Sequence, residues 1–184
     1  DDLVYRNQGC SRFSNIHCIK KSALQWFESD SDSSIHGNWV TFEGIERRYI
    51  AAQSPLPGPT TAAFLRKLRD EGCSHLVWLV PPGEMIKNDL VGIYPLTCGE
   101  EKAEYRCISK LSGPHANRYT LQSSDTKHTL TIHQMDKWPD HGVVTPKDFL
   151  EFRNGVEEAI GSDQGPLAVT CRAGIGRTGT YIVT

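Results

Sequence analysis

The chain has 184 residues, 38% of them hydrophobic and 23% charged, the balance of an ordinary soluble globular domain long enough to bury a core. A formal net charge of -2 excludes a global positive field that would draw nucleic acid or an anionic membrane, so any anion site must be local. No apolar run is long enough to span a bilayer, the first residues show no signal-peptide pattern, and the cysteines form neither a CxxC pair nor a zinc pattern.

The chain shows no internal repeat. Glu28 to Ser34 is short, acidic and serine-rich and reads as a surface loop. Trp39 to Phe42 and Tyr49 to Gln53 read as strands. Thr60 to Glu71 has helical spacing at Phe64, Leu65 and Leu68, with Gly72 as a stop. His75 to Val80 is an apolar, β-rich run that fits a buried strand, and Tyr105 to Leu111 and Thr129 to Gln134 are further strand candidates. Thr145-Pro146 carries the signature of an N-cap followed by proline in the first helical position. The helix it opens presents Phe149, Phe152, Val156, Ala159 and Ile160 on one face. Leu167 to Thr170 is a short buried strand, and Thr178 to Thr184 is expected to open a helix. The pattern predicts an α/β (α+β) fold, a twisted mixed sheet flanked by helices, as a single domain over residues 1–184.

The chemistry lies between the last strand and the last helix, in Cys171-Arg172-Ala173-Gly174-Ile175-Gly176-Arg177. Glycines at 174 and 176 let the backbone turn with successive N–H groups pointing inward, which makes an anion nest. The helix N-terminus adds about half a positive charge. Arg177 can clamp two phosphate oxygens with its fork. Such surroundings lower the pKa of a cysteine from its usual value near 8.5, so Cys171 is a candidate thiolate nucleophile toward phosphorus. A bare Cys-x5-Arg also occurs by chance around a buried structural cysteine. The whole string on a strand, loop and helix, ending in Gly176-Arg177-Thr178-Gly179, is far more specific.

The run from Val169 to Thr180 resembles the signature of protein tyrosine phosphatases, and other matches follow in the family's order. Trp138-Pro139-Asp140, about 30 residues before the signature, resembles the mobile acid loop. Tyr49 to Pro57 resembles the family's strand-and-turn motif, with Ser54 where glycine is usual. Arg12 to Ile16 resembles the loop that grips the phosphotyrosine ring, and Glu84, upstream of Tyr94-Pro95, resembles the glutamate that orients the signature arginine.

The resemblance implies a cofactor-free, metal-free tyrosine-specific phosphatase in which Asp140 is the general acid. A tyrosyl leaving group has a pKa near 10, so a positioned acid is worth on the order of 10²–10⁴-fold. Thr178 would steady the Cys171 thiolate, with a helix cap as its ordinary role. Glu84 would brace Arg177, its ordinary role being a solvated loop residue. Phe13 would stack on the substrate ring and Asn15 hold the substrate backbone. Arg172, Ala173, Gly174, Ile175 and Gly176 would line the phosphate. Trp138 and Pro139 support the acid loop, with Gly142 suited to a hinge.

Two departures stand out. Thr170 occupies the place of a supporting histidine, and Arg172 adds a cation beside the nucleophile that could offset the loss. The family continues beyond the signature with helices and a water-positioning glutamine, so a remainder is expected past Thr184. Phosphotyrosine-containing proteins are the expected partners, as substrates, and the chain is expected to be a monomer with no nucleic-acid partner and no membrane insertion. Cys10, Cys18, Cys73, Cys98 and Cys107 are expected reduced, in a cytoplasmic compartment, since a domain this large does not need disulfides. A phosphotyrosine-binding module on a dead phosphatase would have lost Cys171, Arg177 or Asp140, and all three are present. A dual-specificity or phosphoinositide phosphatase would suit the basic Arg172 but not the ring-gripping and Tyr49–Gln53 motifs. A sulfur transferase would not need the acid loop.

Overall fold

The computed structural model describes residues 3–4, 11–24, 35–56, 59–87, 101–102, 104–113 and 116–184. The serine-rich segment 28–34, Pro57, Tyr94-Pro95, Cys10 and Cys98 lie outside them.

The elements run β1 (Leu3–Val4), β2 (Cys18–Ile19), β3 (Gly37–Phe42), β4 (Ile45–Gln53), α1 (Pro59–Asp70), β5 (His75–Trp78), α2 (Pro82–Lys87), β6 (Glu101–Lys102), β7 (Tyr105–Ser112), β8 (Ala116–Ser123), β9 (Thr129–Met135), α3 (Pro146–Ile160), β10 (Leu167–Cys171) and α4 (Gly176–Val183). β1 and β2 pair by themselves. The other eight strands form one mixed sheet in the order β3-β4-β10-β5-β9-β8-β7-β6. Its centre, β4, β10, β5 and β9, is parallel, and its flanks are antiparallel.

The parallel centre explains the apolar runs at His75–Val80 and Leu167–Thr170. A strand covered by helices on both faces has no side to leave polar. Along β5, Leu76 and Trp78 join the cluster built with Phe64, Leu65 and Leu68 of α1. Val77 joins the opposite cluster, built with Phe149, Phe152, Val156 and Ile160 of α3 and with Tyr181 and Ile182 of α4. β10 divides the same way, with Ala168 on the α1 side and Leu167, Val169 and Cys171 on the other. Helices therefore cover both faces of the central strands, and β10 is buried along its whole length.

α3 begins as its sequence requires. Pro146 occupies the first turn, and the Thr145 hydroxyl oxygen accepts a hydrogen bond from the Asp148 N–H at 3.1 Å. Four of its five predicted apolar residues are buried; Ala159 is half-buried.

Three local features depart from expectation. Ala116–Ser123 is a strand missing from the elements expected above, although Tyr119 and Leu121 alternate with Arg118, Thr120 and Gln122 in the period-2 pattern of a half-buried strand. Pro82–Lys87 is a short helix rather than a solvated loop. β5 ends at Trp78, after which Leu79 stays buried and donates its N–H to the Thr170 carbonyl at 2.8 Å. Among the described residues no helix is long and apolar enough to cross a membrane.

Candidate active site

Open parallel sheets collect ligands at the carboxyl ends of their strands. Cys171 closes β10 at that end, opposite Gln53 of β4, and is only 3% exposed. The strand end is clamped from both sides. Ser54 N–H donates to the Cys171 carbonyl at 2.9 Å, and Leu79 holds Thr170 from the β5 side. Thr170 is buried at the register position between Ala52 and Trp78. At Ser54, where glycine was expected, the hydroxyl oxygen accepts a hydrogen bond from the Trp78 indole N–H at 3.0 Å.

The loop then turns sharply back onto β4. Gly174 has φ +75, and a Cβ there would lie 2.4 Å from the Ala52 carbonyl carbon and 2.5 Å from the Gln53 nitrogen. Only glycine fits a left-handed conformation pressed against a neighbouring backbone. Gly176 is different: it has no positive φ and nothing within 4 Å of its missing Cβ, so the expectation that both glycines shape the turn is corrected to Gly174 alone. Gly174→Ala is accordingly expected to destabilise by about 1–3 kcal/mol from backbone strain, before any clash. In thermal unfolding of both variants, Gly176→Ala should stay within about 0.5 kcal/mol of the parent.

α4 begins at Gly176, so Arg177 points into the cradle from the helix's first turn. It is buried, and its Nη groups are fully engaged. Nη1 donates to Glu84 Oε2 at 2.8 Å and to the Trp138 carbonyl at 2.9 Å; Nη2 donates to Glu84 Oε1 at 2.7 Å and to Asp140 Oδ1 at 3.2 Å. Burial alone would lower its pKa, but the hydrogen bonds and charge of Glu84, then Cys171 and Asp140, leave it raised, so the guanidinium stays charged. Glu84 reaches it from α2, which makes the glutamate a largely enclosed partner, its side chain 10% exposed, rather than a solvated loop residue. Burial pushes the Cys73 thiol up to about 12, with the Glu71 charge adding to the effect and Arg48 opposing it; Cys171 lies close enough to Arg177 for its charge to help hold that guanidinium protonated.

The Trp138–Gly142 turn is rooted in the core. Trp138 packs edge-on against Phe149 of α3 at 5.8 Å between ring centroids, and its indole N–H donates to the Gly142 carbonyl at 3.3 Å. Gly142 N–H returns to the Pro139 carbonyl at 3.1 Å. Between them His141 takes a positive φ of 55 and projects into solvent, and Asp140 turns toward the cradle. Asp140 Oδ2 also meets Arg172 Nη1 at 3.3 Å. The Arg172 guanidinium, expected as an extra cation beside Cys171, is held by Asp140. It runs across the mouth, with its Cζ 5.4 Å from the centre of the Phe13 ring.

The Phe13 loop is tied to β4, where Arg12 N–H donates to Gln53 Oε1 at 3.0 Å. Phe13 is half-buried at the rim and Asn15 is exposed. Thr178 is fully buried, and its hydroxyl has no hydrogen-bond partner among the described residues. It does not cap α4, whose N-cap position is Ile175. The geometry brings Cys171, Ala173, Gly176, Arg177, Trp138 and Asp140 around one cavity of about 300 Å³. Sequence reasoning missed Gln53 as the tether of the Phe13 loop; its only signal was its place at the end of the Tyr49–Gln53 strand.

Comparison with known proteins adds a family. A family model described as protein-tyrosine phosphatase matches residues 7–184. The chain is 27% identical over 190 residues to receptor-type tyrosine-protein phosphatase eta of Gallus gallus, covering 97% of this chain and 13% of that protein. It is 29% identical over 174 residues to tyrosine-protein phosphatase 1 of Caenorhabditis elegans, covering 84% and 16%. It is 30% identical over 175 residues to tyrosine-protein phosphatase non-receptor type 4 of Homo sapiens, covering 83% and 18%. The chain therefore spans less than a fifth of the length of these relatives.

Proposed function

The chain belongs to the protein-tyrosine phosphatase family, and from that premise we propose that it hydrolyses phosphotyrosine in proteins through a phosphocysteine intermediate. The observation that carries this reading is the meeting of Cys171, Arg177 and Asp140 around one cavity, with Arg177 held by Glu84.

In the first step the Cys171 thiolate attacks phosphorus, the S–P bond forms and the bond to the tyrosyl oxygen breaks. Asp140 delivers a proton to that oxygen, without which a leaving group of pKa about 10 departs slowly. The inward N–H groups of residues 172–176 and the Arg177 fork carry the charge on the three remaining oxygens. In the second step water attacks phosphorus, Asp140 accepts its proton, and the S–P electrons return to sulfur. The Thr178 hydroxyl, buried and unspent, is the donor available to that returning thiolate. Phe13 and Asn15, at the rim, take the substrate ring and backbone.

The test compares phosphate release from a phosphotyrosine peptide, a phosphoserine peptide and a phosphoinositide; preference for either of the last two would overturn the reading. Asp140→Ala is expected to lower kcat on the phosphotyrosine peptide by about 10²–10⁴-fold. Peptide binding should survive, because the substitution also removes the carboxylate from Arg177 Nη2. A matching loss of binding would make Asp140 a structural residue.

A further inference from the structure

We propose that Arg172 is a positioning residue that keeps the Asp140 carboxyl group over the pocket, through the hydrogen bond that Oδ2 accepts whether or not Oδ1 carries the proton, while Arg177 is handed to the substrate's phosphoryl group. The proposal rests on the phosphatase reading above, in which residue 172 serves the phosphate through its backbone N–H alone, and it assigns a job to the Arg172 side chain, which Arg172→Ser removes while keeping that N–H.

The two arginines of the loop run in different directions. Arg177 is driven inward, whereas Arg172 lies along the rim, its side chain about one-third exposed at 32%. Asp140 bridges them, with Oδ1 on Arg177 Nη2 and Oδ2 on Arg172 Nη1. This bridge cannot persist once a phosphoryl group arrives. All four Nη hydrogens of Arg177 are engaged, two by Glu84, one by the Trp138 carbonyl and one by Asp140. Nε is the remaining donor, so a fork that grips two phosphoryl oxygens must take at least one Nη hydrogen from its present partner.

Geometry decides which contact yields. The Glu84 bonds are 2.7 and 2.8 Å with a side chain 10% exposed, whereas the Asp140 bond is 3.2 Å with a side chain 32% exposed. The phosphoryl group therefore displaces Asp140. Of its neighbours on the rim, Asp140 then keeps the Arg172 guanidinium at 3.3 Å and the His141 ring at 3.9 Å, and His141 projects into solvent. Arg172 is itself steadied by the Phe13 ring beneath its guanidinium. An exposed ion pair adds little to global stability, so removing it is expected to spare the fold and act on where the Asp140 carboxylate sits.

The test uses the intact chain and two aryl phosphates. Phenyl phosphate expels a leaving group of pKa about 10 and needs the acid; p-nitrophenyl phosphate expels a far weaker base and needs it less. Arg172→Ser is expected to lower kcat on phenyl phosphate about tenfold or more, with p-nitrophenyl phosphate changed by less than about threefold and KM nearly constant, because only the acid step is disturbed. Arg172→Lys should recover part of the loss. In an Asp140→Ala background, Arg172→Ser should have no further effect on phenyl phosphate. Equal losses on both substrates, or a loss that persists without Asp140, would overturn the proposal.

A second readout does not depend on turnover. Hydrogen exchange at residues 138–144 should quicken in Arg172→Ser and remain slow in the parent; unchanged exchange would overturn the proposal. Failure of the parent to hydrolyse either aryl phosphate would instead sink the phosphatase reading, leaving the exchange measurement to decide on Arg172.

Discussion

Replacing Cys171 with serine is expected to abolish phosphate release from a phosphotyrosine peptide while leaving the fold and peptide binding intact. The exchange is nearly isosteric, and the site is expected to tolerate it. Cys171 is the last residue of a strand paired on both sides, with its carbonyl fixed by the Ser54 N–H. What changes is the nucleophile. A thiol becomes a thiolate near neutral pH when a cation and a helix N-terminus face it, whereas a serine hydroxyl in the same cradle has no adjacent base to take its proton. In the proposed mechanism Asp140 cannot serve, since it delivers a proton in the same step. The loss of rate should be on the order of 10⁴-fold or more, as when a nucleophile is removed from a site whose binding groups remain. Titration calorimetry should show that the peptide still binds, because the donors of residues 172–177 are untouched. Phosphate release within tenfold of the parent rate would end the nucleophile assignment.

How much of this site can be read from the sequence depends on whether its physics is local. The cradle is legible because strand, turn, helix start, thiol and guanidinium all fall between Leu167 and Val183. The start of α3 is legible for the same reason, since Thr145 bonds to a group only three residues ahead. Strands β5 and β10 announce themselves because burial on both faces leaves no polar position. By contrast, Glu84 and Arg177 lie 93 residues apart, and nothing in Pro81-Pro82-Gly83-Glu84 says that its turn becomes a helix aimed at the cradle. Only the family resemblance suggested that pair. Gly174 and Gly176 look alike as letters, and what separates them is the approach of Ala52 and Gln53 on another strand. The direction of Arg172 was illegible too, being set by Asp140, 32 residues away, and by Phe13 across the mouth.

The Arg177–Glu84 pair carries the other large expected effect, and it separates catalysis from stability. Arg177→Lys keeps a positive charge but gives up the fork. One ammonium cannot reach both Glu84 oxygens, the Trp138 carbonyl and two phosphoryl oxygens together. With charge-assisted bonds each worth about 1.5–3 kcal/mol, the loss of two should lower kcat/KM by roughly 10²–10⁴-fold. Arg177→Ala goes further, because it strands the Glu84 carboxylate, 10% exposed, without a cation. Breaking a buried pair from one side costs about 3–5 kcal/mol, far more than the pair contributes when whole. Adding Glu84→Gln to Arg177→Ala should therefore return part of the stability, read as a higher midpoint in urea unfolding, while returning none of the activity. If the double variant were as unstable as Arg177→Ala, Glu84 would not be the buried charge that Arg177 neutralises. If it regained turnover, Arg177 would not be the group that holds the phosphate.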